Sequence, residues 1–281
     1  MVRADEVRKQ QRDQWDAVAA GWERRDAWFA EQTQALTEWL CGAAALAPGQ
    51  RVLDLASGGG QPALTAAARV RPGGSVVATD LSPQMLAVSE RRARALGLDN
   101  IELLEMDAED LRFPDDSFDA VICRFGLMLF PGPARAAAEI QRVLRPGGRF
   151  AVAVWDEPVR NPYFTVTQRA LASVVAMPAP DPKAPGVFRL APPGELAAVL
   201  RAGGFTDVRV EALPMTLACA SRAECWAIQS DLSAALRAAV ATLTAPEVAR
   251  LEAAVFDALA PHVEEDRVRL GAVALCATGM K

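Results

Sequence analysis

The chain carries one histidine and one tyrosine among 281 residues. Imidazole-ligated metal sites draw on several histidines, so metal chemistry of that kind is set aside at once. Cysteine offers no replacement. Cys41, Cys123, Cys219, Cys225 and Cys276 form no CxxC pair, and an odd count suits no closed disulfide framework. Single buried thiols in a reducing cytoplasm are the plain reading, and the protein is expected there. Also missing is any apolar run near the ~18 residues of a membrane span, and the opening MVRADEVRKQQRDQWD has no apolar signal-peptide core. Nor is there an excess of Lys and Arg: a formal net charge of −5 argues against a nucleic-acid surface. What remains is 51% apolar and 23% charged, a globular composition long enough for one large α/β domain with insertions.

What is present is a change of pattern near residue 50. Residues 7–47 read as helical, with Trp15, Val18, Trp22, Phe29, Leu36 and Leu40 spaced along one helical face until Pro48-Gly49 stops them. From there, short β-branched runs alternate with Ala/Leu-rich helices. Strands are expected over 51–56, 75–80, 101–106, 119–123 and 149–155, with helices over 62–70, 83–97 and 133–144 between them. Such alternation implies right-handed crossovers and a parallel sheet wound on both faces. Residues 156–192 are proline-rich (Pro158, Pro162, Pro178, Pro180, Pro182, Pro185, Pro192) and read as an irregular insertion around one helix. A helix over 193–202 and a strand over 206–213 follow. Two helices are expected within 221–262, divided near Pro246, and 268–278 returns as a last strand, closing a seven-stranded sheet with an antiparallel edge. Arg71-Pro72-Gly73-Gly74, Arg145-Pro146-Gly147-Gly148 and Arg201-Ala202-Gly203-Gly204 punctuate helix-to-strand turns, with glycine placed to take a left-handed cap.

The chemistry-bearing run is VLDLASGGG, residues 52–60: a buried strand, a glycine loop, then a helix. Glycines let backbone approach a ligand closely, and a helix N-terminus favours negative charge. Read alone, Gly58-x-Gly60-x-x-Ala63 also fits the dinucleotide fingerprint, and a tight turn that binds nothing gives the same pattern. Asp80 ends the second strand about 20 residues past the loop, where an acid hydrogen-bonds ribose hydroxyls. Capping the helix at Ser82-Pro83 is the competing role. Asp107-Ala108 and Arg124-Phe125-Gly126 follow the third and fourth strands on the same carboxyl edge of the sheet, where open α/β folds bind their ligands.

In order, VLDLASGGG, VVATDLSPQML, EMDAEDLRFPDDSFDAVIC and EIQRVLRPGGRFAVAVW resemble the class I S-adenosylmethionine-dependent methyltransferases, nearest the ubiquinone/menaquinone C-methyltransferase-like small-molecule branch. The resemblance is dense over residues 50–155 and looser through PPGELAAVLRAGGFTDVRVE. It implies a Rossmann-like methyltransferase fold and S-adenosylmethionine as the cofactor. It also implies roles: Asp54, Ala56, Ser57, Gly58 and Gly60 facing the donor's methionine part, Asp80 holding the ribose, and Leu81 and Met85 packing near the adenine. Asp107 and Ala108 would read the adenine edge, and Arg124 would offer backbone to the methionine amine. The sequence departs from the family at Ala56-Ser57, where Gly-Cys or Gly-Ser is usual, and at Gly59-Gly60, where Thr-Gly is commoner.

Methyl transfer to a small acceptor by in-line displacement is the implied reaction, and no catalytic dyad is evident. A donor-binding natural-product enzyme that does not methylate, such as a cyclase, keeps the same motifs. A nicotinamide-dependent oxidoreductase would need a Tyr/Lys or Ser pair that the chain does not offer. Candidates for the acceptor wall are Trp22, Phe29, Phe125, Met128 and Tyr163, with Trp15 and Trp28 beside them. His262, before Glu264-Glu265-Asp266, reads as a surface residue rather than a general base. The expected plan is a helical cap over 1–48, a donor-binding core over 49–220, a second helical cap over 221–262, and the core's final strand over 263–281.

Overall fold

The computed structural model describes residues 4–175, 181 and 184–281; Pro178, Pro180 and Pro182 of the expected insertion lie outside the described residues. Strands β1 (Arg51–Leu55), β2 (Ser75–Asp80), β3 (Ile101–Glu105), β4 (Phe118–Arg124), β5 (Leu144–Trp155), β6 (Val208–Cys219), β7 (Val263–Glu264) and β8 (Arg267–Met280) form one sheet. Its order is β3-β2-β1-β4-β5-β8-β6, with the short β7 paired to β8. Strands β1 to β5 pair in parallel, and β8 runs antiparallel to both β5 and β6. The sheet is therefore doubly wound and mostly parallel. Its reversed strand sits one place in from the edge, because β6 pairs along its whole length with β8 and leaves its own outer side unpaired.

Strand alternation divides the core into two unlike layers. Val52, Val76, Ala78, Ala120, Ile122, Ala151 and Ala153 point to one face, where α2 (Gln34–Ala43) and α3 (Ala63–Arg69) cover them with Leu36, Leu40, Ala63, Ala66 and Ala67. The alanines let those helices lie close. Leu53, Leu55, Val121, Phe150, Val152 and Val154 point to the other face, under α5 (Pro133–Val143) and α7 (Glu195–Ala202). Burial of each large side chain there contributes about 1.5–3 kcal/mol. In two of the Arg-x-Gly-Gly turns the left-handed residue is the first glycine, Gly73 (φ 82°) or Gly147 (φ 80°).

Two expectations are corrected. The helix over 7–47 is broken at Thr33 into α1 (Ala4–Gln32) and α2, because Thr33 leaves helical geometry (φ −111°, ψ 16°) and its hydroxyl donates to the Phe29 carbonyl at 2.6 Å. Trp15 to Phe29 and Leu36 to Leu40 consequently serve different surfaces. Residues 221–262 hold three helices rather than two: α8 (Arg222–Leu232), α9 (Ala234–Val240) and α10 (Ala245–Leu259). The extra break comes at Ser233, whose extended backbone and side-chain bond to the Leu236 N–H restart the helix. The insertion after β5 carries α6 (Pro162–Val174), while α4 (Pro83–Ala95) follows β2. Among the described residues, no helix is long and apolar enough to cross a membrane.

Candidate functional site

A cleft with an internal volume of about 130 Å³ opens at the carboxyl ends of β1 to β4. Its floor is the loop after β1, where Ala56 (φ 52°), Gly58 (φ 53°) and Gly60 (φ 109°) all take left-handed backbone. Asp80 ties this loop to the next crossover: its carboxylate accepts from the Gly58 N–H at 2.9 Å and the Ser82 N–H at 2.8 Å. The cap of α4 is Ser82 itself, whose hydroxyl accepts from the Met85 N–H at 3.0 Å. Capping is thus done without Asp80, whose carboxylate borders the cleft. Burial pushes the Asp80 carboxyl up, against the pull of the backbone N–H donors of Ser82, Gly58 and Leu81.

Of the residues singled out from sequence, Ala56, Ser57, Gly58, Asp80, Leu81, Met85, Asp107, Ala108 and Arg124 line the cleft, as do Trp22, Phe29 and Phe125. Four do not. Asp54 shares the α3 face with Val52, by strand alternation, and its Oδ2 accepts from the Ala63 N–H at 3.0 Å; it anchors α3 rather than facing the cleft. Burial pushes its carboxyl well up, although Arg124 opposes this. Gly60 is spent on the turn, donating to the Ser57 carbonyl at 2.9 Å and accepting from the Leu64 N–H at 2.8 Å. Met128 is buried in the core beside α5. Tyr163 is buried one layer back, stacked on Trp28 (6.1 Å, 29°) and edge-on to Phe164. Ring contacts connect it to the cleft through Phe164, Trp155 and Phe125, the last two stacked at 3.9 Å.

The opposite wall is contributed by α1, whose rings were among the sequence candidates but whose charged residues were not. Arg8 pairs with Asp107 at 2.6 Å and with Glu109 at 2.9 Å. Glu109 in turn accepts from the Gly132 N–H at 2.7 Å, linking α1 to the loop of Phe130 and Pro131. Arg12 donates to the Leu81 carbonyl at 3.0 Å and pairs with Glu105, and Asp16 accepts from the Ser82 hydroxyl at 2.5 Å. Further along, Asp26 pairs with Arg92 of α4 at 2.6 Å. The Asp107 carboxylate is therefore already engaged, by Arg8 and by the Glu109 N–H at 2.9 Å. Arg124 is half-buried beneath α1, donating to Thr33 Oγ1 at 2.9 Å with its guanidinium 5.1 Å from the Phe29 ring, and desolvation lowers it to about 10. The helix α1 is itself held from behind by α8: Trp22 donates to the Leu232 carbonyl at 3.2 Å, and Arg25 pairs with Asp231 at 2.6 Å. His262 stands outside this cleft, in the turn after α10.

Among the described residues, the buried polar atoms here without a hydrogen-bond partner include the Ser57 hydroxyl and Asp54 Oδ1. An unsatisfied buried group costs about 1–3 kcal/mol. Ser57 is on the loop itself and lines the cleft, so a ligand seated there would remove that cost.

Comparison with known proteins gives the same picture. A family described as a methyltransferase domain matches residues 53–152. The demethylmenaquinone methyltransferase of Thermus thermophilus is 38% identical over 181 residues, covering 60% of this chain and 80% of that protein. The enzyme of the same name from Clavibacter sepedonicus is 35% identical over 221 residues, covering 74% and 88%. Among solved structures, the 4+2 cyclase SpnF is similar with a TM-score of 0.55 and 26% identity, over 88% of this chain and 80% of that one.

Proposed function

Because the chain belongs to the class I S-adenosylmethionine-dependent methyltransferases, we propose that it moves the donor's methyl by in-line displacement to a small aromatic acceptor of the quinol class. The observation that carries this reading is a single cleft with the glycine loop and Asp80 on one side and aromatic rings on the other. The residues fit the donor. Asp80 would accept from the ribose hydroxyls, Leu81 and Met85 would flank the adenine, and the loop from Ala56 to Gly59 with the Ser57 hydroxyl would meet the methionine part. When bound, that donor supplies a methyl on a positively charged sulfur, which keeps the electron pair as the acceptor takes the methyl.

The chain's own contribution is orientation and exclusion of water. Holding two reactants in line contributes orders of magnitude in effective molarity. Trp15, Trp22 and Phe29 from α1 and Phe125 and Phe130 from the sheet edge give a planar apolar acceptor rings to lie against. A dry site also strengthens local electrostatics and removes water as a competing nucleophile. In this reading α1 with α8, α9 and α10 is the cap, which opens for the acceptor and closes for transfer. A quinol suits the apolar wall and the demethylmenaquinone methyltransferases among the relatives.

The test is incubation with a methyl-radiolabelled donor and separate demethylated quinols, phenols and amines. Label is expected in the quinol; label in amines alone overturns the acceptor class. The likeness to a cyclase favours a second reading, in which the donor is bound but not spent. Acceptor consumed without label incorporated selects that one.

A further inference from the structure

Two charged groups of the cleft have no task in the reading above. Asp26 of α1 and Arg92 of α4 pair at 2.6 Å, with side chains 30% and 18% exposed. Both line the cleft, and Arg92 also donates to the Gly59 carbonyl, on the loop assigned to the donor's methionine part. The orphaned Ser57 hydroxyl lies on that same loop. This end of the cleft therefore offers one negative group, one positive group and an unsatisfied hydroxyl.

We propose that Asp26 and Arg92 read the amino-acid end of the donor, Arg92 taking its carboxylate and Asp26 its ammonium. The proposal rests on the donor site described above. An amino acid carries one charge of each sign on adjacent bonds, so it can replace the Asp26–Arg92 pair with two pairs and leave neither group alone. Such an exchange avoids the main penalty of a half-buried ion pair, a charge stranded without a partner. Burial disfavours the charged form of both groups, raising Asp26 and lowering Arg92, so each gains from an added counter-charge. A further consequence is that the bound amino acid bridges α1 and α4 in place of their direct pair, coupling donor occupancy to the position of the aromatic wall.

Calorimetry with two ligands tests this. S-adenosylhomocysteine has the amino acid; methylthioadenosine shares the adenosine and lacks it. The unaltered protein is expected to bind S-adenosylhomocysteine at least about a hundredfold more tightly, as two charge-assisted contacts imply. Arg92→Gln and Asp26→Asn should each weaken S-adenosylhomocysteine about ten- to hundredfold and leave methylthioadenosine within about twofold. Unchanged methylthioadenosine binding shows at the same time that the fold is intact. If Arg92→Gln melts in the assay range, Arg92→Lys carries the test. It keeps the charge but loses the planar fork, so it should weaken S-adenosylhomocysteine alone. Equal weakening of both ligands by folded variants, or weakening of neither, overturns the proposal and makes the pair a clasp between α1 and α4. Failure of the unaltered protein to bind either ligand is a different result, which overturns the donor site and this proposal with it.

Discussion

The two walls of the cleft are made in different ways. The sheet side is built on backbone, a loop of left-handed residues and N–H groups aimed at Asp80, with Leu81, Met85, Phe125 and Phe130 beside it. The α1 side is long side chains held by ion pairs to residues far away in the chain, Arg8 to Asp107 and Glu109, Arg12 to Glu105, Asp26 to Arg92. A backbone-built wall is fixed by packing and keeps its shape when empty. A wall of paired side chains is exchangeable, because each pair is only partly buried and has water as a competing partner. On the function proposed above, recognition of the donor's adenosine falls to the first and gating and closure to the second.

The largest expected effect removes one wall altogether. Deleting residues 1–30 takes away Trp15, Trp22 and Phe29 and should abolish transfer, while a melting scan shows a folded core at reduced temperature. Transfer at the full rate by the truncated protein would put the whole site on the sheet side and end the comparison. Next comes Asp80→Ala on the backbone-built wall. Loss of charge-assisted bonds worth about 1.5–3 kcal/mol lowers donor affinity roughly ten- to hundredfold. Calorimetry with S-adenosylhomocysteine reads this, and an unchanged affinity would reduce Asp80 to a brace for the loop.

The same division explains what was legible in the sequence. VLDLASGGG and the acids after β2 and β3 could be read because a backbone-built site is local: strand, loop and helix start lie within a few residues. The mostly parallel, doubly wound sheet followed from alternation of periods. Asp54 was misplaced for a reason the sequence does contain, since it shares the parity of Val52 and so faces α3. Arg8, Arg12, Asp16 and Asp26 were not legible. On a 29-residue helix rich in charge they look like a solvated face, and their partners stand some 66 to 101 positions away. The break at Thr33 was hidden because spacings of three, four and seven run on across it.

A third, smaller effect is pH dependence of donor binding. Burial raises Asp80, with Asp16 of α1 adding like-charge repulsion, and also raises Asp26 and Asp54. A carboxyl raised in the fold holds its proton more tightly than in the unfolded chain. Stability from these groups is therefore full below the ordinary carboxylate range and is lost as pH rises through their raised values. Ribose hydroxyls donating to Asp80 favour its ionised form instead. Affinity for S-adenosylhomocysteine should thus rise with pH just above the ordinary carboxylate range, by at most about tenfold per pH unit for each proton released, then level off. Asp80→Asn should remove its share of that slope. A profile unchanged by Asp80→Asn would move the proton to the α1 wall, to Asp26.

The smallest effect concerns stability, at Ala56, one of the two places where the glycine loop departs from the family pattern. Ala56 is held at φ 52°, a conformation that costs an L-residue about 1–2 kcal/mol and glycine almost nothing. Its methyl group also occupies space. A Cβ placed on Gly126 would lie 2.6 Å from the Ala56 Cβ and 2.9 Å from Cys123 Sγ, so Gly126 is needed for room and not for conformation, its own φ being −87°. Ala56→Gly should relieve the strain, less about 0.4–1 kcal/mol for the freer unfolded chain, a net gain of about 0.5–1 kcal/mol. That corresponds to a melting temperature higher by about 1–3 °C. Gly126→Ala alone should destabilise by about 1–3 kcal/mol through overpacking, and by distinctly less when Ala56→Gly is present, because one of the two close contacts is then gone. The double-mutant cycle isolates that contact. If Gly126→Ala costs the same in both backgrounds, Ala56 and Gly126 do not compensate one another. If Ala56→Gly lowers the melting temperature, the methyl's packing outweighs its strain, and this wall too depends on a side chain.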